Sequence, residues 1–372
     1  MDCRLVPVRF AALAGWETDD PRPLFAAMER CRRHILDVKP YRTGSLGVTA
    51  ADLLTLFDAA AGARPESPAA ARSFFESHCV AFRIDRTDGA RGFITAFYEP
   101  DVQVQPVPGA EYRYPFYRRP ADLVAVDDGN RPADFDPSFA FGRLLEDGRI
   151  VEYADRGEIE RGFLAGRGLE IAWARSRADV FFAHVQGAAR LVGPDGSVTR
   201  ITYAAKSGHP FSAIGRLLVD RGEIDAVTVS MASIRDWLDR HEDEVDGVLR
   251  QNRSFIFFRE AAVEDLSLGP VAAAKVPLVS GRSLAVDRHI HTFGLPFFIA
   301  SDTLTHMDGG RPFRRLMLAL DTGTAIVGPA RGDVFTGSGD AAGALAGAVR
   351  EAADFYVLIP RAAAERYLHG PG

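Results

Sequence analysis

Residues 316–339 read LMLALDTGTAIVGPARGDVFTGSG. An apolar run stops at Asp321, a segment rich in Gly and Pro follows, and a second apolar run opens at Asp333. Short apolar runs punctuated in this way are the mark of strands joined by tight turns. The same texture extends upstream through FIFF (255–258), VPLV (276–279), LAV (284–286) and LPFFIA (295–300), and continues through TAIVG (324–328) and DVF (333–335) to YVLIP (356–360). So many short strands in one region predict a small closed barrel, in which inward and outward residues alternate. AAGALAGAV at 341–349 is expected to be its one packed helix.

Moving outward, the first 80 residues read as helical scaffold. Segments 22–37, 50–61 and 68–78 are opened by Pro21, Thr49 and Ser67 and carry spaced apolar residues. At Gly92 the pattern becomes GFITAFYEP, an aromatic and β-branched run stopped by Pro100, which predicts a strand. From about 103 to 250 the chain is dense in Gly, Pro and Asp, with strand-like pieces at 149–153, 168–173 and 198–203. This predicts a compact, mostly β domain. It closes on a segment whose Met231, Ile234, Trp237, Leu238, Val245 and Leu249 are spaced for one helical face.

The 372 residues are enough for two domains. With 47% hydrophobic and 25% charged residues the chain is expected to fold around a sizeable core rather than remain disordered. Lys plus Arg is 44 and Asp plus Glu is 50, a net charge of −6 that disfavours nucleic acid as a partner. Cys3, Cys31 and Cys79 lack CxxC spacing and do not suggest zinc. No apolar run reaches the roughly 18 residues of a spanning helix, and the N-terminus lacks the three parts of a signal peptide. The chain is therefore expected to be soluble as written, or a mature or truncated form.

Chemistry-bearing residues concentrate in SLAVDRHIH (283–291) and in 316–339. Asp287, Asp321 and Asp333 each follow or interrupt an apolar run, which predicts positions at strand ends. One such aspartate alone most often initiates a turn by accepting backbone N–H bonds. Three in one small barrel suggest converging carboxylates, and crowding of like charge favours a protonated member, as a general acid requires. The triplet Asp321-Thr322-Gly323 also matches the aspartic protease signature, but that mechanism needs a second copy or a homodimer and the chain has only one DTG. Elsewhere, Tyr98, Glu99, His184 and Gln186 are polar residues in apolar surroundings, suited to hydrogen-bonding a neutral polar ligand; a satisfied core histidine is the commoner reading of His184. Trp173, Phe181 and Phe182 read as core. No HExxH or Gly-rich phosphate loop occurs, and His289 and His291 lack further ligands.

Ordered segments spread over some 250 residues stand out: TAFYEP (95–100), YADRGEIERG (153–162), LEIAWARSRADVFFAHVQGAARL (169–191), RITYAAKSGHPFSAIGR (200–216), NRSFIFFRE (252–260), RSLAVDRH (282–289) and the LALDTGTAIVGPARGDVFTGSG run. Together they resemble the membrane-bound lytic murein transglycosylase A family. The resemblance implies a mainly β fold with N-terminal helices. A double-ψ β-barrel catalytic domain would take residues 1–102 and 251–372, an inserted β-rich substrate-binding domain 103–250, and the substrate groove would lie between them. It also implies that Asp333 is the catalytic acid, supported by Asp321 and Asp287. The sequence departs from the family pattern at Ala96 and Phe97, at Ala188-Ala189 after Gly187, and at Thr324 after the DTG triplet.

The implied reaction cleaves the β-1,4 bond between N-acetylmuramic acid and N-acetylglucosamine in peptidoglycan. Ordinary glycosidases use two carboxyl groups, whereas here one aspartate would donate a proton to the glycosidic oxygen and then take one from the muramoyl 6-hydroxyl. That hydroxyl closes a 1,6-anhydro ring. Neither a metal nor an organic cofactor is needed. Thr95, Tyr98, Glu99, His184 and Gln186 are expected to bind the sugar and its acetamido groups. The expected partners are peptidoglycan glycan strands, with cell-wall synthesis or division proteins as further candidates; the chain is expected to act as a monomer, in the periplasm and associated with the outer membrane. Two other classes stand beside this reading: an inactive peptidoglycan-binding module and the aspartic protease.

Overall fold

The computed structural model describes residues 3–263 and 265–368. Contacts divide the chain into one unit comprising Met1–Tyr98 and Val263–Gly372, and a second comprising Glu99–Ala262.

In the first unit, strand β1 (Cys3–Val8) precedes three helices, α1 (Pro23–Asp37), α2 (Ala50–Gly62) and α3 (Pro68–His78). Their starts follow from local chemistry. Pro23 and Pro68 occupy first-turn positions where no N–H is required, Ser67 accepts from the Ala70 N–H, and Thr49 and Asp52 form a reciprocal capping box. Leu24, Ala27, Met28, Cys31 and Ile35 form the buried stripe of α1. Cys31 and Cys79 are buried thiols.

Seven further strands complete this unit: β2 (Cys79–Arg86), β3 (Gly92–Glu99), β4 (Ser283–Val286), β5 (Pro296–Ser301), β6 (Phe313–Asp321), β7 (Arg331–Ser338) and β8 (Arg350–Pro360). They run in the order β1-β2-β8-β5-β6-β4-β7-β3, and β3 pairs again with β8. Six strands therefore close on themselves, which removes free edges. The length of β8 makes this possible: Arg350–Ala353 pair with β3, and the residues that follow pair with β5 and β2. Phe297, Phe298, Leu316, Met317, Leu318, Phe335 and Phe355 are among the residues that fill its core. Helix α4 (Asp340–Gly347) follows β7, and α5 (Arg361–Leu368) ends the described chain.

Two apolar runs that read as barrel strands are not strands. Val276–Val279 makes only an isolated bridge, between Pro277 and Val271. Thr324–Gly328 is a turn, in which Ile326 N–H bonds the Gly323 carbonyl and Gly328 adopts a left-handed φ of 113° that a side chain would strain.

The second unit carries a six-stranded sheet whose order is Ile256–Glu260, Val198–Lys206, Ala188–Val192, Asp101–Gln105, Glu170–Ala174, Tyr114–Tyr117. The FIFF run thus belongs here and not to the barrel, because Ile256–Glu260 pairs antiparallel with Val198–Lys206. Pairing of Asp101–Gln105 with Ala188–Val192 likewise draws residues before 103 into this unit. The unit boundaries therefore fall at 98/99 and 262/263 instead of 102/103 and 250/251. The apolar face read at its end forms two helices, Met231–Arg240 and Val245–Leu249, which bury Trp237, Leu238, Val248 and Leu249 against Phe181 and Phe182.

Candidate active site

The register of the barrel brings two of the three aspartates together. On the central strand β4, Ala285 is the partner of Asp321 on parallel β6 and of Asp333 on antiparallel β7. The pairing with β6 shifts by a residue between Leu284 and Ala285; the two aspartate Cα atoms lie about 10 Å apart across two strand spacings, and the charge of Asp333 acts on Asp321. The DTG turn begins immediately after Asp321, at the end of β6, whereas Asp333 lies inside β7.

Asp333 is part-exposed, yet protein crowds its carboxyl, and this desolvation pushes its pKa up to about 6 against the opposing effects of Thr95 and Arg331. Thr95 Oγ1 donates to Asp333 Oδ1. Asp321 is likewise pushed up to about 6, first by desolvation and further by the charge of Asp333, although the backbone N–H groups of Thr322 and Ala273 favour its ionised form. The Ala273 N–H bonds Asp321 Oδ1 at 3.1 Å. A carboxyl that stays protonated toward neutral pH is what an acid catalyst of a glycosidic bond requires.

Asp287 has a different task. Its Oδ1 accepts from the His289 N–H and its Oδ2 from the Gly328 N–H, both at 2.9 Å. The His291 ring bonds the Pro329 carbonyl through Nε2, also at 2.9 Å. The two groups together clamp the turn between Asp321 and Asp333 from the segment after β4. Asp287→Ala would leave two backbone donors without their acceptor, and each such loss costs about 1–3 kcal/mol when buried. Chemical denaturation should show a stability loss of that order with activity lowered, and Asp287→Asn, which keeps one acceptor, should fall between; unchanged stability would contradict the clamp.

The five expected sugar-binding residues divide between the units. Thr95 lies on β3 against Asp333, as above, so it acts on the acid itself. Tyr98 is buried, with its ring packed over Gly343 of α4; a Cβ there would come within 2.7 Å of the ring. In the second unit, Glu99 is fully buried and ion-paired to Arg200 at 3.2 Å. His184 is buried against Phe255 and Phe258, and its Nδ1 accepts from the buried Arg156 guanidinium at 3.1 Å. Desolvation, and after it the charge of Arg156, hold His184 well below the ordinary histidine range, so it is a neutral core group. Gln186, at the end of helix Arg177–Gln186, is part-exposed. Trp173, read as core, is also part-exposed.

One residue at the site was passed over in the sequence. Arg331 lies two positions before Asp333 on β7 and so on the same face. Its Nη2 donates to Thr95 Oγ1 at 2.7 Å, and its guanidinium lies 5.3 Å from the centre of the Phe93 ring. The Arg-x-Asp spacing just ahead of the strand predicted at 333–335 is the available signal. Among the described residues no group of three or more His, Cys, Asp or Glu side chains is placed to hold a metal ion.

Residues 93–259 match the model of the MltA specific insert domain, and residues 282–359 match that of the 3D domain. A crystal structure of membrane-bound lytic murein transglycosylase from Agrobacterium tumefaciens is 62% identical, covers 98% of this chain and 99% of that one, and superposes with a TM-score of 0.93. The chain belongs to the membrane-bound lytic murein transglycosylase A family. The MltA structure from Neisseria gonorrhoeae is 29% identical with a TM-score of 0.75, covering 96% of this chain and 92% of that one. Escherichia coli MltA with bound chitohexaose is 26% identical with a TM-score of 0.68, covering 97% and 95%. In sequence alone, membrane-bound lytic murein transglycosylase A of Escherichia coli K12 is 35% identical over 259 residues, 68% of this chain. That match spans 61% of the length of the E. coli enzyme. The family's two domain models fall on opposite sides of the structural division at 262/263, apart from the β3 residues at the start of the insert match. No described helix of this MltA family member is long and apolar enough to cross a membrane.

Proposed function

We propose that this chain is a peptidoglycan lytic transglycosylase, in which Asp333 serves as acid and then as base. The observation that carries this reading is the environment of Asp333: a desolvated carboxyl with a raised proton affinity, held by Thr95 and flanked across Ala285 by a second carboxyl. Family membership and the oligosaccharide bound by the E. coli relative support a glycan strand as the ligand.

In the proposed reaction, protonated Asp333 gives its proton to the oxygen linking N-acetylmuramic acid to N-acetylglucosamine. The C1–O bond breaks and positive charge develops on the muramoyl ring. The Asp333 carboxylate then takes the proton of the muramoyl 6-hydroxyl while O6 bonds to C1. The internal hydroxyl replaces water with the advantage of high effective concentration. Ionised Asp321 would stabilise the developing positive charge, and Asp287 would hold the intervening turn. Such a substrate lies outside the cytoplasm, which makes the periplasm, with association to the outer membrane, the proposed location. Digestion of purified peptidoglycan should release muropeptides ending in 1,6-anhydromuramic acid by mass spectrometry; reducing-end products alone would make the enzyme a hydrolase and overturn the proposal.

A further inference from the structure

The hydroxyl of Thr95 lies between two groups that leave it no choice of direction. A guanidinium has donors only, so the 2.7 Å contact from Arg331 Nη2 makes Thr95 Oγ1 the acceptor there. Its single proton is then free to point at Asp333 Oδ1, the contact seen. The guanidinium is itself held: its Nη1 donates to the Gly332 carbonyl and its face meets the Phe93 ring. Phe93 and Thr95 share one face of β3 as Arg331 and Asp333 share one face of β7, so the chain Arg331, Thr95, Asp333 is built across two paired strands.

We propose that Arg331 is a positioning residue that, through Thr95, assigns the acidic proton of Asp333 to its Oδ2. With Oδ1 committed as an acceptor from Thr95, the neutral carboxyl carries its proton on the other oxygen, free for the glycosidic bond. Without Arg331, the Thr95 hydroxyl can turn and accept from a proton on Oδ1, which parks that proton on a group that takes no part in the reaction. The inference rests on the reading of Asp333 as the acid and adds to it the device that selects the productive form. The charge of Arg331 also favours the carboxylate that must form after donation. The other charged groups around the site are Asp321 on β6, with Lys275 acting on it, and Arg350 on β8, exposed and paired in register with Thr95.

The test is the pH profile of purified Arg331→Met and Arg331→Lys variants on peptidoglycan, beside melting curves and an Asp333→Asn control. Arg331→Met removes both the donor and the charge. We expect kcat to fall roughly tenfold, part of the 10²–10⁴ that acid–base assistance is worth, with KM little changed and the alkaline limb of kcat/KM moved to higher pH. Arg331→Lys, which keeps a donor and a charge, should restore much of the rate and return the limb toward its original position. If Arg331→Met does not fold, Thr95→Val against Thr95→Ser serves instead: the valine variant should lose rate and the serine variant retain it. Wild-type kcat and an unmoved limb in Arg331→Met would overturn the inference. So would a loss of rate with an unmoved limb that lysine does not rescue, since that describes structural support alone. An active Asp333→Asn would instead remove the reading of Asp333 on which the inference stands.

Discussion

Asp333→Asn should abolish turnover on peptidoglycan while leaving the fold intact. The amide is nearly isosteric, and its Oδ1 still accepts from Thr95, but it cannot donate a proton to the glycosidic oxygen or reclaim one from the 6-hydroxyl. General acid–base assistance is typically worth about 10²–10⁴-fold, and here one residue supplies both steps, so the loss should reach or exceed the upper end. Retention of more than about a tenth of the wild-type rate would move the acid elsewhere, with Asp321 the next choice. Stability should change in the opposite direction. The native pKa of Asp333, about 6, lies above the ordinary value of 3.8, so the folded state holds the proton more tightly than the unfolded state. The carboxyl therefore costs no stability below about pH 4, where both states are protonated, and its cost grows as pH rises to about 6 and persists above. At about 1.4 kcal/mol per tenfold change in proton affinity, the penalty above pH 6 is on the order of 1–3 kcal/mol. Melting of Asp333→Asn should thus exceed wild type at pH 7.5, and the difference should shrink toward pH 4.

Asp321→Asn should lower kcat by on the order of 10²-fold, the size of effect seen when one preorganised electrostatic partner of a developing charge is removed. Asn keeps an acceptor for the Ala273 N–H at 3.1 Å, so the barrel should persist. The two carboxyls act on each other's titration: the charge of Asp333 raises Asp321, and the coupling is mutual. Removing the charge at 321 should therefore let Asp333 ionise more easily and move the alkaline limb of kcat/KM to lower pH. This is opposite to the shift expected of Arg331→Met, and a common direction for both variants would contradict the electrostatic account. Circular dichroism beside the kinetics separates loss of the charge from loss of the barrel.

The helices were legible because their signals are local. Pro23, Thr49, Ser67 and Pro68 mark the observed starts through capping chemistry that needs no distant partner. Strand membership was less so. FIFF and LPFFIA have the same texture, yet one pairs with Val198–Lys206 and the other with β6 and β8, and pairing across the chain leaves no trace in a short apolar run. TAIVG reads as a strand despite the glycines at 323 and 328, and the turn it forms is what separates Asp321 from Asp333.

At the site, the aspartates were legible as a cluster and their division of labour was not. Nothing local distinguishes Asp287, whose two oxygens take backbone donors, from Asp321 and Asp333, which meet across Ala285. Glu99 and His184 carried the right chemistry for a sugar site, but the arginines that occupy them, Arg200 and Arg156, lie 101 and 28 residues away. Arg331 is hard to read for the converse reason: an arginine on a strand usually reads as solvated surface, and only its bond to Thr95, 236 residues distant, gives it a role.

The most direct test of the central claim is digestion of peptidoglycan in water enriched in ¹⁸O, followed by mass spectrometry of the new muramoyl ends. If the Asp333 carboxylate activates the internal 6-hydroxyl, those ends should be 1,6-anhydro rings with no heavy oxygen, and Asp333→Asn should yield none of them. Reducing muramic acid ends carrying ¹⁸O at C1 would show that water is the nucleophile and contradict the account.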